Sequence, residues 1–285
     1  MSTSTAIRTV HIAHSPDSDD AFMFYALTQG VLDVEGLQIE HVLADIETLN
    51  QAAFDGRYDI TALSFHGYAH LADRYQLMPS GASFGDGYGP VVVAREPLTR
   101  EQLAGVEVAI PGKLTTAALA LQLWQPAVRT RILPFDRILD AVKAGEVRAV
   151  VVIHEGQLTF GDEGLVAAVD LGAWWQGETG GPLPLGGNGI RRDLPEDLKA
   201  RLCGLLTASI EHALSHRQEA LDFALRYARG IEHDRARADR FVGMYVNEWT
   251  RGYGERGLAA VQELLDRGHA AGLLPRRVEV EVVGG

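Results

Sequence analysis

The chain has 285 residues, 46% hydrophobic and 22% charged, the balance of a folded globular protein rather than a disordered one. A formal charge of −12 argues against nucleic acid or an anionic membrane as a partner, though not against a small anionic molecule held locally. Cys203 is the only cysteine, which excludes an intrachain disulfide and a cysteine metal cluster; beside Leu202 and Leu205-Leu206 it reads as a helix core residue.

In chain order, strands and helices alternate at short spacings. Thr9 to Ala13 is a strand, and the polar turn Ser15-Pro16-Asp17-Ser18-Asp19 opens a helix from Asp20 to Thr28. Leu37 to Leu43 is a second strand, followed by a helix around Ile46 to Phe54. Tyr58 to Leu63 is a third, and His66 to Leu71 begins another helix. This alternation predicts βαβ units and an α/β fold. After the glycine-rich stretch Gly81 to Gly89, Pro90 to Ala94 is a strand, Thr99 to Leu103 a short helix and Glu107 to Ile110 a strand. A helix from about Thr115 to Leu123, a strand Thr130 to Leu133, a helix Phe135 to Ala144 and a strand Ala149 to Ile153 complete this block. Beyond Pro182 the pattern turns helical: Glu196 to His216, Gln218 to Ala228, Asp234 to Val246 and Gly254 to Ala271.

Two lobes are therefore expected. Residues 1–94 and 187–285 form one, the latter mostly helical, and 95–186 form an inserted α/β lobe. The crossings fall near Val93 to Glu96 and Pro182 to Ile190. Such a layout places a small-molecule cleft between the lobes, closing by a hinge. The amino-terminal residues carry no stretch of signal-peptide length, and no run approaches the ~18 to 20 apolar residues of a membrane span. A cytoplasmic protein without a membrane partner is expected.

The run Ala149-Val150-Val151-Val152-Ile153 reads as a strand buried on both faces of a parallel sheet. His154 and Glu155 follow at its carboxyl end, the edge where open α/β sheets bind ligands. His154 is thus either a proton carrier facing substrate or a histidine satisfied by a backbone carbonyl. The polar run Ser15 to Asp20 either caps a helix or contributes carboxylates to the cleft. Gly112-Lys113-Leu114-Thr115-Thr116-Ala117 joins a strand to a helix, where free N–H groups and two hydroxyls either bind a carboxylate or phosphate or simply cap. Ser64 has the same position in the first lobe and the same two readings. His66, His70, His212, His216, His233 and His269 lack a metal-binding spacing, and no nucleophile elbow surrounds Ser64. Arg191-Arg192 either draws an anion across the hinge or is solvated.

Several motifs then occur in one order: Ser15-Pro16-Asp17-Ser18-Asp19-Asp20-Ala21-Phe22-Met23-Phe24, Glu47-Thr48-Leu49-Asn50, Tyr58-Asp59-Ile60-Thr61 through Ser64, Pro111 to Ala117, and Ile153-His154-Glu155-Gly156. Pro184-Leu185-Gly186-Gly187-Asn188, Arg191 to Leu194 and Tyr245-Val246-Asn247-Glu248 follow. From Ser15 to about Pro275 the chain resembles the 1,4-dihydroxy-6-naphthoate synthase family of the futalosine route to menaquinone. The resemblance implies a two-lobe fold like the type II periplasmic binding proteins. It implies a carbon–carbon lyase, with no cofactor and no metal, that converts cyclic dehypoxanthinyl futalosine to dihydroxynaphthoate and a three-carbon fragment. Carried over by position, His154 is the proton acceptor, and Leu63, Ser64, Thr115, Thr116 and Ala117 bind substrate. The same motifs bring Asn50 and Asp19 into the substrate-binding set, although family members often have Pro and Asn at positions 18 and 19, which leaves Ser18 and Asp19 a supporting role. Glu155 ranks behind His154, because successive strand residues point to opposite faces. The alternatives are a non-catalytic solute-binding protein of the same fold and a chorismate dehydratase on a similar scaffold.

Overall fold

The computed structural model describes residues 7–284. Its strands are β1 (Arg8–His14), β2 (Leu37–Leu43), β3 (Ile60–Ser64), β4 (Tyr75–Leu77), β5 (Ser83–Gly85) and β6 (Val91–Ala94), then β7 (Glu107–Ile110), β8 (Arg129–Ile132), β9 (Ala149–Val152), β10 (Val166–Asp170) and β11 (Leu183–Arg191). They form two sheets. The first has the order β2-β1-β3-β11-β4, with β5 also on β11; the second has the order β10-β6-β9-β7-β8. The chain leaves the first sheet after β5, builds the whole second sheet, and returns in β11.

Apolar runs account for the central strands. Every residue of β3, β6 and β9 is buried, because helices cover both faces of each sheet. The second sheet is mixed rather than parallel: β9 runs parallel to β7 and antiparallel to β6. Burial on both faces marks a central strand, and it does not fix the direction of its neighbour.

The helices expected between the strands are present with small shifts, except that the first breaks at Phe24 into Ser18–Met23 and Tyr25–Thr28. Elements also come where none was expected: the short strands β4 and β5, strand β10, the helix Leu171–Thr179, and the short helical turns Gly156–Thr159, Phe160–Glu163 and Glu248–Arg251. The stretch from Pro182 to Ile190, read as a crossing, is largely strand β11. Its Pro184 and three glycines argue locally against a strand, but β3 on one side and β4 and β5 on the other supply its ladder. Gly186 is required there, since a Cβ would lie 2.8 Å from the backbone oxygen of Leu63.

Two cores matter for the site. One runs from Phe65 and Tyr68 through Ala117 to Leu121 into Val108 and Val151, and takes in Leu264 and Leu265 of the helix Gly254–Ala270, so it joins the two sheets. The other packs Phe22, Met23 and Phe24 against Leu202, Leu206 and Phe241 of the carboxyl-terminal helices. No described helix is long and apolar enough to cross a membrane.

Two buried imidazoles, His14 and His66, and the half-buried His41 make the fold sensitive to acid. Burial pushes His14, His41 and His66 down from 6.5 to about 4, each stabilised neutral. A depressed folded value means that stability is fully present above pH 6.5 and is lost as pH falls toward 4, where the unfolded chain binds more protons. His14 alone is worth up to about 3 kcal/mol over that span. The melting temperature should therefore fall steadily from pH 6.5 to pH 4, and the fall should be shallower in His14→Gln. A flat profile across this window would contradict the assignment.

Candidate active site

A cavity opens between the sheets where the carboxyl ends of β1, β3, β7 and β9 converge. Ser15, Asp17, Asp19 and Asp20 reach it from the turn after β1, and Leu63 and Ser64 from the end of β3. Thr115, Thr116 and Ala117 reach it from beyond β7, His154 and Gln157 from beyond β9, Leu185 to Asn188 from β11, and Phe241 and Tyr245 from the helix Arg235–Tyr245. Strand ends bearing polar side chains, helix starts with unpaired N–H groups and a floor of small residues are features with which such a cavity can hold a small organic molecule.

His154 is the only non-glycine residue in the left-handed region among the described residues, with φ 64°. Histidine tolerates this conformation better than most residues, yet it costs on the order of 1 kcal/mol and is held only where surroundings fix it. Here the fixing contact is an ion pair, His154 Nδ1 to Asp17 Oδ2 at 2.9 Å. Burial opposes the charge on the ring, but Asp17 outweighs it, with help from Glu155 and Asp19, and the imidazole is pushed up to about 9. Asp17 is drawn down in spite of its own burial, first by His154 and less by Arg229, whose Nη1 lies 3.3 Å from Oδ1. Nε2 of His154 has no protein partner among the described residues and is free to face a ligand.

The neighbouring carboxyls behave differently. Burial, then Asp20, Asp17 and Glu155, push Asp19 well above the ordinary carboxylate range, which favours its hydrogen-bond-donating acid form. Burial pushes Asp20 up to about 6 despite its hydrogen bonds from Ser15 N at 2.7 Å and Oγ at 2.8 Å. Glu155 does not touch His154. It accepts a 2.6 Å bond from Ser18 Oγ and lies almost wholly buried.

The two threonines answer the choice between capping and binding. Thr115 Oγ1 caps its own helix by accepting from Ala118 N and donates to Gly112 O. Thr116 Oγ1 donates to Leu185 O at 2.6 Å and accepts from His66 N. Both hydroxyls are committed and Ala118 N is capped by Thr115, so what the helix Thr116–Trp124 offers the cavity is the amides of Thr116 and Ala117, which have no intrahelical acceptor. Ser64 keeps its proton free: Asn50 Nδ2 donates to its Oγ at 3.2 Å, and Asn50 Oδ1 accepts from its amide at 3.0 Å.

His154, Leu63, Ser64, Thr115, Thr116, Ala117 and Asp19 thus come together at one cavity. Asn50 does not join them. It is fully buried behind Ser64 and holds that residue in place, which corrects its expected role as a ligand contact. Arg191 pairs with Asp193 and Arg192 with Glu281, away from the cavity. Sequence reasoning assigned no specific part to Asp17, Gln157 or Tyr245. Their signal lay in the Asp17-bearing turn and the Tyr245 motif, but nothing local says which of them meets His154.

Residues 10–270 match a family model described as menaquinone biosynthesis. A 1,4-dihydroxy-6-naphthoate synthase of Thermus thermophilus is 42% identical over 93% of this chain and 95% of that protein. A solved structure from Archaeoglobus fulgidus is 46% identical, with a TM-score of 0.89 over 93% of this chain and 98% of that one. The alkanesulfonate-binding protein of Xanthomonas axonopodis shares the fold at a TM-score of 0.73 over 96% and 97% of the two chains, with 16% identity.

Proposed function

The chain belongs to the menaquinone-biosynthesis family, and from that premise we propose that it cleaves a carbon–carbon bond of cyclic dehypoxanthinyl futalosine to give 1,4-dihydroxy-6-naphthoate and a three-carbon fragment. The relative from Thermus thermophilus, similar over nearly the full length of both chains, supports the reaction. The observation that carries the chemistry is the placement of His154. A titratable ring with Nε2 unpartnered shares a cavity with the free amides at Thr116 and Ala117 and with the Ser64 hydroxyl.

In this reading the substrate carboxylate lies against the start of the helix Thr116–Trp124, where N–H groups and the helix dipole favour negative charge. Ser64 donates to a second oxygen, and Asp19 in its acid form donates to a third. His154 removes a proton beside a carbonyl, and aromatisation of the new ring helps to drive the break. The base must meet substrate without its second proton, whereas the contact with Asp17 favours the charged ring.

The test is to incubate the purified protein with cyclic dehypoxanthinyl futalosine and follow dihydroxynaphthoate by mass-resolved chromatography. Product supports the reading. Binding without product favours a solute binder, and neither binding nor product removes this ligand from consideration.

The carboxylate site has its own test. Ala117 is buried at the cavity wall in the first turn of its helix. Ala117→Glu puts a fixed carboxylate where the substrate's would lie, so KM should rise by at least about tenfold, or 1.4 kcal/mol. An unchanged KM would move the substrate carboxylate elsewhere.

A further inference from the structure

We propose that Asp17 is the positioning residue for His154 and that the two meet only when the cleft closes, so that closure completes the base. This rests on the reading of His154 as that base. Asp17 follows β1 of the first sheet, and His154 follows β9 of the second. The catalytic ring and the carboxylate that aims it therefore belong to different halves of the molecule.

The contacts around them divide into two kinds. On one side the halves are joined by a continuous apolar core that runs through Phe65, Tyr68, Ala117 to Leu121 and Leu264. On the other, the segment from His154 to Glu163 is fastened to the first half chiefly by polar pairs. These are His154 to Asp17 at 2.9 Å, Ser18 Oγ to Glu155 at 2.6 Å, Tyr245 Oη to Gln157 at 2.5 Å and Arg237 to Asp162 at 2.5 Å. Leu158 is the apolar exception, packing against the first half's core. A hydrophobic seam holds its register while a row of polar pairs can exchange with water, so the apolar side is the hinge and the polar side opens.

Arg229 closes the arrangement from behind. It lies 3.3 Å from Asp17, and its guanidinium stands 4.3 Å over the ring of Phe135, which meets His154 edge-on at 5.5 Å. The charges facing His154 are Asp17 and Asp19 from the first half, Glu155 beside it, and Arg229 beyond Asp17. Opening withdraws the first-half carboxylates and Arg229 together and returns the imidazole toward its ordinary value near 6.5, mostly neutral above pH 7. Substrate then meets a neutral ring. Closure brings Asp17 against Nδ1, the substrate C–H bond breaks as the Nε2–H bond forms, and the carboxylate balances the new charge. When product leaves and the cleft reopens, the proton passes to solvent.

The test titrates His154 in protein carrying labelled histidine, by NMR, in the free state and with dihydroxynaphthoate bound. In the wild type the ring should titrate near its ordinary value when free and well above it when the ligand is held; in Asp17→Asn the ligand should produce no rise. Turnover by Asp17→Asn should fall about 10²-fold in kcat with KM changed less than about threefold, and Asp17→Glu should recover part of it. Arg229→Gln, outside the direct contact, removes a cation that partly offsets Asp17 and should raise the bound-state titration slightly while leaving the free-state one unchanged, and it serves if Asp17→Asn does not fold. A ring already raised in the free protein, or a rise that survives in Asp17→Asn, would overturn the proposal. Wild-type protein that binds no dihydroxynaphthoate and forms none would instead overturn the proposed reaction, a separate result.

Discussion

His154→Asn is expected to fold and to bind substrate while its turnover falls by about 10²- to 10⁴-fold, the usual contribution of a positioned general base. Asparagine is the informative replacement because it tolerates the left-handed backbone at this position better than alanine or glutamine. It can still donate to Asp17, so the ion pair is replaced by a hydrogen bond to the carboxylate rather than by a void. What it cannot do is accept a proton. If the loss appears in kcat and kcat/KM together while the dissociation constant is unchanged, the missing interaction belongs to the transition state. A variant with near wild-type kcat would remove His154 from its role.

Gly172→Ala should be the most damaging small substitution in the fold, with a loss of at least about 3 kcal/mol. Gly172 opens the helix Leu171–Thr179, whose cap, Asp170, accepts from Gly172 N and Ala173 N. A Cβ at this position would lie 1.9 Å from Tyr88 O, 2.1 Å from Tyr88 C and 2.6 Å from Gly89 N, all backbone atoms that cannot rotate away. The segment it strikes is where the chain passes from the first sheet into β6, beside Pro90 of the cavity wall. Urea unfolding should show the midpoint falling with little change in slope. Gly177, in the same helix with nothing near its Cβ position, is the control. Gly177→Ala should be neutral or stabilising by up to about 1 kcal/mol. Equal effects at the two positions would mean that the close approach does not constrain the crossing.

How much of this was legible from the chain depended on whether the cause was local. β6 and β9 were readable because unbroken apolar runs bounded by turns specify strands covered on both faces, whatever they pair with. β11 was not readable. Its glycines and Pro184 oppose a strand locally, and only β3, β4 and β5, more than ninety residues earlier in the chain, supply its partners.

At the site, residue types at strand ends pointed to His154, Ser64 and the turn before Thr115, and each lies at the cavity. The finer roles depended on partners distant in sequence. Thr115 and Thr116 carry hydroxyls that looked available and are committed to Gly112, Leu185 and their own helix. Asn50 looked like a ligand contact and serves Ser64 instead. Asp17 meets His154 across 137 positions of chain, a pairing that no local spacing encodes. A carboxylate in a Ser-Pro-Asp turn reads equally well as a cap.

The central claim is that His154 takes the substrate's proton, and a single turnover with enzyme in excess over cyclic dehypoxanthinyl futalosine tests it most directly. Excess enzyme removes substrate capture and product release from the reading. Wild-type protein should form dihydroxynaphthoate in one phase, and His154→Asn, saturated with the same substrate, should form it at least about 10²-fold more slowly. Equal rates in the two proteins would contradict the account and return the search for the base to the carboxyls of the turn after β1.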